Sequence, residues 1–391
     1  MSEKIFEIFE KKIEELKEKL LYRSIRDAEA LENMKITING KVYINFASND
    51  YLGLSKHPLV IEAAKNALEL FGVGSCASRL LSGGTILHRK VEELLCEFKD
   101  VEACLVLNSG YTANISLIPA LADEGDMILS DELNHASIID GCKLSKAKKF
   151  IYKHGDTEEI EKILKKISCK GKKLIVTDTV FSMDGDIAPL YELYELCKNY
   201  EALLYIDDAH GTGVLGDGYG ALKHFGLKPD SFVIQMGTFS KAVGAFGAFV
   251  GGSKTLINWF INTARALIFS TALPTSVIAA AYVSLKIIRE NKNLTKKLWE
   301  NTEKVRETIR KLELQTTKSQ TPIVPILFES IQKTQKASEI LSSFGIYAPV
   351  IRPPTVKIPR IRLSISAAHK NEEIERLSEA LIHLSQQLHQ V

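Results

Sequence analysis

Between Val101 and Gly252 the chain alternates short apolar runs with segments of helical periodicity, and this alternation confines the fold more than any other feature. Six runs read as strands: Ala103–Leu107, Met127–Ser130, Lys173–Thr177, Leu203–Asp207, Phe232–Met236 and Ala245–Gly251. Strands spaced by helices are the pattern of a parallel sheet covered by helices, an α/β core. After Thr275 a long helical stretch runs through Ile288 toward Leu312. Strands at Ile323–Leu327 and Arg360–Ile365 follow, with helices near Thr334–Phe344 and Asn371–Leu388, as in a smaller α+β unit. The expected division is 1–48 for an N-terminal helix and arm, 49–285 for the large α/β domain and 286–391 for the C-terminal α+β domain, with no repeats and no low-complexity linker.

At 391 residues the chain has enough length for a large buried core. Fifty basic against forty-eight acidic residues leave a net charge of +2, spread along the chain, which argues against a nucleic-acid partner. Met1 to Leu20 reads as one amphipathic helix, with Ile5, Phe6, Phe9, Ile13, Leu16 and Leu20 on one face, and is expected to pack on the body of the protein. It lacks the apolar core of a secretory signal. The apolar stretch near Ala279 is broken by Ser284 and Lys286, so no membrane span and a cytoplasmic location are expected. Six cysteines fall at no zinc spacing, so they read as reduced thiols and no metal is expected.

Four strand-end segments carry candidate chemistry. Leu203 to Asp207 is an apolar strand ending in an acid, with His210 three residues on; in an open α/β sheet that end faces the ligand crevice. Asp207 there could pair with a pyridinium nitrogen; metal binding by Asp207 and His210, or a capped turn, fits the same spacing. Phe232 to Met236 runs into Gly237, Thr238, Phe239, Ser240 and Lys241, a hydroxyl-rich turn with a lysine. Beside other cations such an amine loses some preference for charge, as Schiff-base formation needs. Asn108–Ser109–Gly110–Tyr111–Thr112–Ala113–Asn114 opens a helix whose free N–H groups suit a phosphate, or serves as an ordinary helix entry. His135, in Asp131–Glu132–Leu133–Asn134–His135, reads as a helix-start residue or as an imidazole stacked on a flat heteroaromatic ring.

Together with Asn45–Phe46–Ala47–Ser48–Asn49–Asp50–Tyr51–Leu52–Gly53–Leu54 at one end and Arg362–Leu363–Ser364–Ile365–Ser366–Ala367–Ala368–His369 at the other, these segments resemble the α-oxoamine synthases, pyridoxal-phosphate (PLP) enzymes of fold type I. The resemblance covers nearly the whole chain. It implies a mostly parallel seven-stranded sheet flanked by helices, an N-terminal arm, a smaller α+β C-terminal domain and a homodimer with shared active sites. It also implies that Lys241 carries PLP as a Schiff base, that Asp207 pairs with the ring nitrogen, that His210 and Ser182 touch the ring hydroxyl and that His135 stacks on the ring. Gly110, Tyr111 and Thr238 match phosphate contacts, and Ser270 and Thr271 match a segment that reaches the partner subunit's phosphate. Arg362 matches the grip on the amino-acid carboxylate with Asn49 as helper, while Arg23 and Thr355 match acyl-substrate positions.

The chemistry so implied is a decarboxylating condensation of an amino acid with an acyl thioester. Ala348 to Val356 and Gly74 to Gly83 resemble members that join L-alanine to pimeloyl-CoA or a pimeloyl-carrier protein. Leu133 to Gly141 is closer to members that use glycine and acetyl-CoA, and Lys357–Ile358–Pro359 is shorter than the usual loop of the first group. A non-catalytic subunit of the same fold would be expected to have lost Lys241, Asp207 or His135, and all three are present.

Overall fold

The computed structural model describes residues 2–388. Its central sheet has seven strands: β1 (Ala103–Leu107), β2 (Met127–Asp131), β3 (Lys148–Tyr152), β4 (Lys173–Asp178), β5 (Leu203–Asp207), β6 (Val233–Thr238) and β7 (Ala248–Gly252), in the order β1-β7-β6-β5-β4-β2-β3. Only β7 runs against its neighbours β1 and β6; the pairs β2–β3, β2–β4, β4–β5 and β5–β6 are parallel. All strands but β7 therefore end on one edge, where ligands of open α/β sheets bind.

Side-chain alternation along the strands feeds two cores. Leu204 and Ile206 of β5 face the helices Ile86–Lys99, Leu190–Asn199 and Thr275–Glu290, while Tyr205 faces Gly110–Leu121, Ala136–Leu144 and Lys254–Thr263. Asp207 shares the parity of Tyr205, and the register opposes it to Asp178 at the end of β4. A third core joins Val305, Ile326, Leu363 and Leu381 of the C-terminal elements to Phe46. The strand Lys41–Asn45 pairs in parallel with Ile346–Tyr347, so the N-terminal arm closes onto that third core. A small antiparallel sheet aligns Arg360–Ser364 between Ile323–Leu327 and Val350–Ile351.

Three expectations need correction. The strand Lys148–Tyr152 was not expected; its lysines and exposed Ile151 mask it in sequence because it lies at a sheet edge with one solvated side. The long helical stretch is two helices, Thr275–Glu290 and Asn293–Lys311, separated at Asn291. The N-terminal helix Ser2–Glu18 does not pack on the body: Ile5, Phe6, Phe9, Ile13 and Leu16 remain 39–64% exposed. No described helix is long and apolar enough to cross a membrane.

A buried ion pair fixes the turn after β5. Lys99 Nζ donates to Asp208 Oδ2 at 2.8 Å, to Thr212 Oγ1 at 2.8 Å and to the Tyr219 carbonyl at 2.7 Å, and both charged side chains are 1% exposed. Asp208 Oδ1 accepts from Thr179 Oγ1 at 2.8 Å and from the Ala221 N–H at 3.2 Å. Gly220 (φ +109°) passes so close that a Cβ there would lie 2.1 Å from Asp208 Oδ2. A paired, fully bonded charge is tolerated inside, whereas one deprived of its partner is not. Lys99→Met is therefore expected to destabilise by about 3–5 kcal/mol, read as a lower denaturation midpoint. Lys99→Met with Asp208→Asn should lose less, and a single variant as stable as wild type would refute this role.

Candidate active site

The five strand ends β1, β2, β4, β5 and β6 meet at a cavity of about 190 Å³. Eight residues singled out in the sequence line it: Gly110, Tyr111, His135, Ser182, Asp207, His210, Thr238 and Lys241. Ser137, Asp178, Ala209 and Ser240 complete its walls.

Asp207 closes β5 with 4% of its surface exposed. Its Oδ2 accepts from Asn114 Nδ2 at 2.8 Å and its Oδ1 from the Ala209 N–H at 3.0 Å. Burial holds its carboxyl above the usual range, opposed by Lys241 and by the Asn114 hydrogen bond. Asp178 is pushed further up, by burial and then by Asp207, and its Oδ2 accepts the His135 N–H at 2.7 Å. Both facing acids are thus raised by burial, Asp178 further than Asp207, whose carboxylate has the Asn114 and Ala209 donors beside it.

Lys241 follows β6 by three residues. Burial lowers its pKa to about 8, against the pull of Asp207 and Asp178. His135 caps the helix Ala136–Leu144, its Nδ1 accepting the Ser137 N–H at 3.2 Å, and burial lowers its basicity. His210 is lowered much further, by burial and then by Lys241 and Arg362. Both imidazoles are therefore neutral near pH 7.

The helix Gly110–Leu121 starts at the cavity. Ser109 caps it by accepting the Thr112 N–H at 3.2 Å, and the N–H groups of Gly110 and Tyr111 have no protein acceptor among the described residues. That is an anion seat. The Tyr111 hydroxyl is turned away to Asp140, so its backbone is what faces the seat. Thr238 Oγ1 donates to the Gly247 carbonyl at 2.7 Å, which commits its proton elsewhere.

A second group adjoins the cavity. Arg362 donates through both terminal nitrogens to Asn49 Oδ1 at 3.2 Å, through Nη2 to the Tyr51 hydroxyl at 3.3 Å and through Nε to the Ser182 carbonyl. The Tyr51 hydroxyl lies 2.7 Å from His210 Nδ1, which ties the arginine to the ring-side imidazole. Arg23 Nη2 meets Thr355 Oγ1 at 3.0 Å, bringing together two residues 332 positions apart. Ser270 and Thr271 do not line this chain's cavity; Thr271 is exposed and its carbonyl accepts from Asn108 Nδ2 at 2.8 Å. Asp208, the adjacent acid, bonds to Lys99, whereas Asp207 bonds to Asn114, so the two neighbouring carboxylates serve different partners.

Asn114, Ser137, Asp178 and Tyr51 belong to the site although sequence did not single them out. Asn114 had a signal: it is a poor helix former inside the apolar helix run Ala113 to Leu121. Tyr51 lies in a quoted segment but offers no signal beyond it, and Asp178 reads only as another strand-end acid.

This fold and this cavity define a class. The family model for aminotransferase class I and II matches residues 41–381, and the chain belongs to that family, within its α-oxoamine synthases. A relative from Thermodesulfovibrio yellowstonii, named "Putative 8-amino-7-oxononanoate synthase", is 69% identical over 385 residues, 98% of this chain and 99% of that one. The 8-amino-7-oxononanoate synthase of Thermoanaerobacter pseudethanolicus is 43% identical over 386 residues, 98% of each chain. Serine palmitoyltransferase from S. paucimobilis with bound PLP–myriocin aldimine matches with a TM-score of 0.93 at 28% identity over 99% of each chain.

The residues present fit PLP. The anion seat at Gly110 and Tyr111 suits its phosphate, Lys241 its aldehyde carbon and Asp207 its ring nitrogen. With a pKa of about 8, the Lys241 amine of the apoprotein should capture pyridoxal phosphate at a rate that rises with pH and levels off above about 8. Stopped-flow absorbance checks this; a rate still climbing toward pH 10, the ordinary lysine range, would contradict it.

Proposed function

We propose that the chain joins L-alanine to a pimeloyl thioester, with loss of carbon dioxide and of the carrier thiol, on PLP held by Lys241: the 8-amino-7-oxononanoate synthase activity for which its relatives are named. The observation that carries this reading is the single cavity gathering a lysine of lowered basicity, a buried acid, two neutral imidazoles and an anion seat.

PLP, when bound, supplies an electron sink for the negative charge left on the amino-acid α-carbon. Asp207 keeps the ring nitrogen protonated so that the sink is effective. Arg362, backed by Asn49 and Tyr51, holds the amino-acid carboxylate and so decides which α-carbon bond is aligned for cleavage. With PLP bound, Lys241 Nζ would be the base for the α-proton; a pKa of about 8 suits a base working near neutrality. With PLP bound, His135 would stack on the ring, and His210 and Ser182 would meet its hydroxyl.

A pimeloyl chain is favoured over acetyl by a groove of about 870 Å³ lined by Arg23, Arg26 and Arg352. Burial, then the charges of Arg23 and Arg26, lower the basicity of Arg352. Glu339 lines the same groove, yet among the described residues no acid forms an ion pair with these arginines. Unpaired guanidinium groups suit an acyl chain ending in a free carboxylate, and an acetyl group offers them nothing. The homodimer belongs to this reading, supported by the exposed apolar face of Ser2–Glu18 and by the position of Ser270 and Thr271 outside their own cavity. So does a cytoplasmic location, supported by six free thiols.

Release of CoA, measured with alanine or glycine crossed against pimeloyl-CoA and acetyl-CoA, tests the proposal. Alanine with pimeloyl-CoA should be the best pair, and activity confined to glycine with acetyl-CoA would overturn it. Lys241→Ala should abolish both turnover and the visible cofactor band. Arg23→Gln should raise KM for the pimeloyl donor about tenfold, the loss of one charge-assisted contact, with KM for alanine unchanged.

A further inference from the structure

Asn114 is completely buried one turn into the helix Gly110–Leu121, and every polar hydrogen and lone-pair direction it uses is assigned by its neighbours. Its Nδ2 donates to Asp207 Oδ2 at 2.8 Å and to Ser137 Oγ at 2.9 Å, while its Oδ1 accepts the Tyr205 hydroxyl at 2.7 Å. The amide cannot be reversed. Turned over, its oxygen would face the carboxylate of Asp207, which offers only lone pairs when ionised.

That orientation propagates. Ser137 Oγ receives one amide proton, so its own hydroxyl proton is free for His135 Nδ1, 2.7 Å away. The same Nδ1 also accepts the Ser137 backbone N–H at 3.2 Å. Two donors converge on Nδ1, which therefore carries no proton, and the proton of the neutral ring sits on Nε2. Strand parity is what makes this possible: Tyr205 and Asp207 project from the same face of β5, onto the helix that carries Asn114.

We propose that Asn114 is a positioning residue that sets two groups of the site at once, holding Asp207 as the anionic partner of the ring nitrogen and, through Ser137, fixing His135 as its Nε2–H tautomer. The proposal rests on the cofactor reading for the role of Asp207, but the tautomer of His135 is independent of it. Asn114 touches neither cofactor nor substrate. Its amide substitutes for water at Asp207 and fixes which edge of the His135 ring can donate.

The test uses the holoenzyme labelled with nitrogen-15 histidine. In wild type the His135 signal, assigned by its loss in His135→Asn, should show an unprotonated Nδ1 and a protonated Nε2. Ser137→Ala removes the donor hydroxyl and should shift that pattern toward the other tautomer. Asn114→Leu keeps the volume but loses both amide donors. It should weaken PLP binding about 10- to 100-fold, as expected for losing a hydrogen bond to a charged group, and displace the pH profile of the visible band. Tyr205→Phe leaves both amide donors in place and should change the affinity much less. If Asn114→Leu fails to fold, Ser137→Ala, a loss of one oxygen, still reads the relay. A protonated Nδ1 in wild type, or an Asn114→Leu protein with unchanged PLP affinity and band profile, would overturn the proposal. A wild-type protein that binds no PLP would sink the cofactor reading alone, since the histidine spectrum reports the relay without it.

Discussion

A carboxylate buried at the end of a strand is the constraint around which this site is organised. Asp207 is costly to ionise where it stands, because the interior solvates charge poorly. Its ionised form needs donors, and they come from parts of the chain distant in sequence: the Asn114 side chain on a helix, the backbone of Ala209 in the following turn and the charge of Lys241 beyond the next strand. The same exclusion of water lowers the lysine and the imidazoles. One physical cause thus raises the acids and depresses the bases, leaving two neutral rings and an amine of lowered basicity beside the buried acid. Asp208, the next residue, is treated differently: Lys99 meets it inside, and that pair anchors the turn that holds Asp207 and His210 in place.

The proposed carboxylate grip depends on a different connection. Arg362 is carried by a strand of the C-terminal sheet, yet its partners Asn49, Tyr51 and Ser182 come from the segment just after the arm and from the turn after β4. The Tyr51 hydroxyl couples that arginine to His210. The proposed amino-acid grip and the proposed ring contact are therefore joined by hydrogen bonds at a seam between separate cores, each of which folds around its own apolar residues.

The central strands were legible because they are buried on both faces and so appear as unbroken apolar runs: β1 and β5 fall where their hydrophobicity places them. The edge strand Lys148–Tyr152 was not, since a half-solvated strand loses that signature. The exposed apolar stripe of Ser2–Glu18 has the periodicity of a packed helix, and periodicity says that a face needs a partner without saying which. The break at Asn291 likewise has no proline or glycine to announce it.

By itself the sequence placed the central strands and marked Lys241, Asp207, His135 and His210 as residues at or just beyond strand ends, because each follows an apolar run at short range, while the cofactor class came from the resemblance along nearly the whole chain. Only the tertiary structure decided what those groups are chemically. That Asn114 and Ser137 reach His135 and Asp207, that Asp178 faces Asp207, and that Tyr51 bridges Arg362 to His210 depend on strand order and side-chain parity across the sheet. Hydrogen-bond direction and desolvation act over a few ångströms between residues far apart in the chain, and no local pattern encodes them.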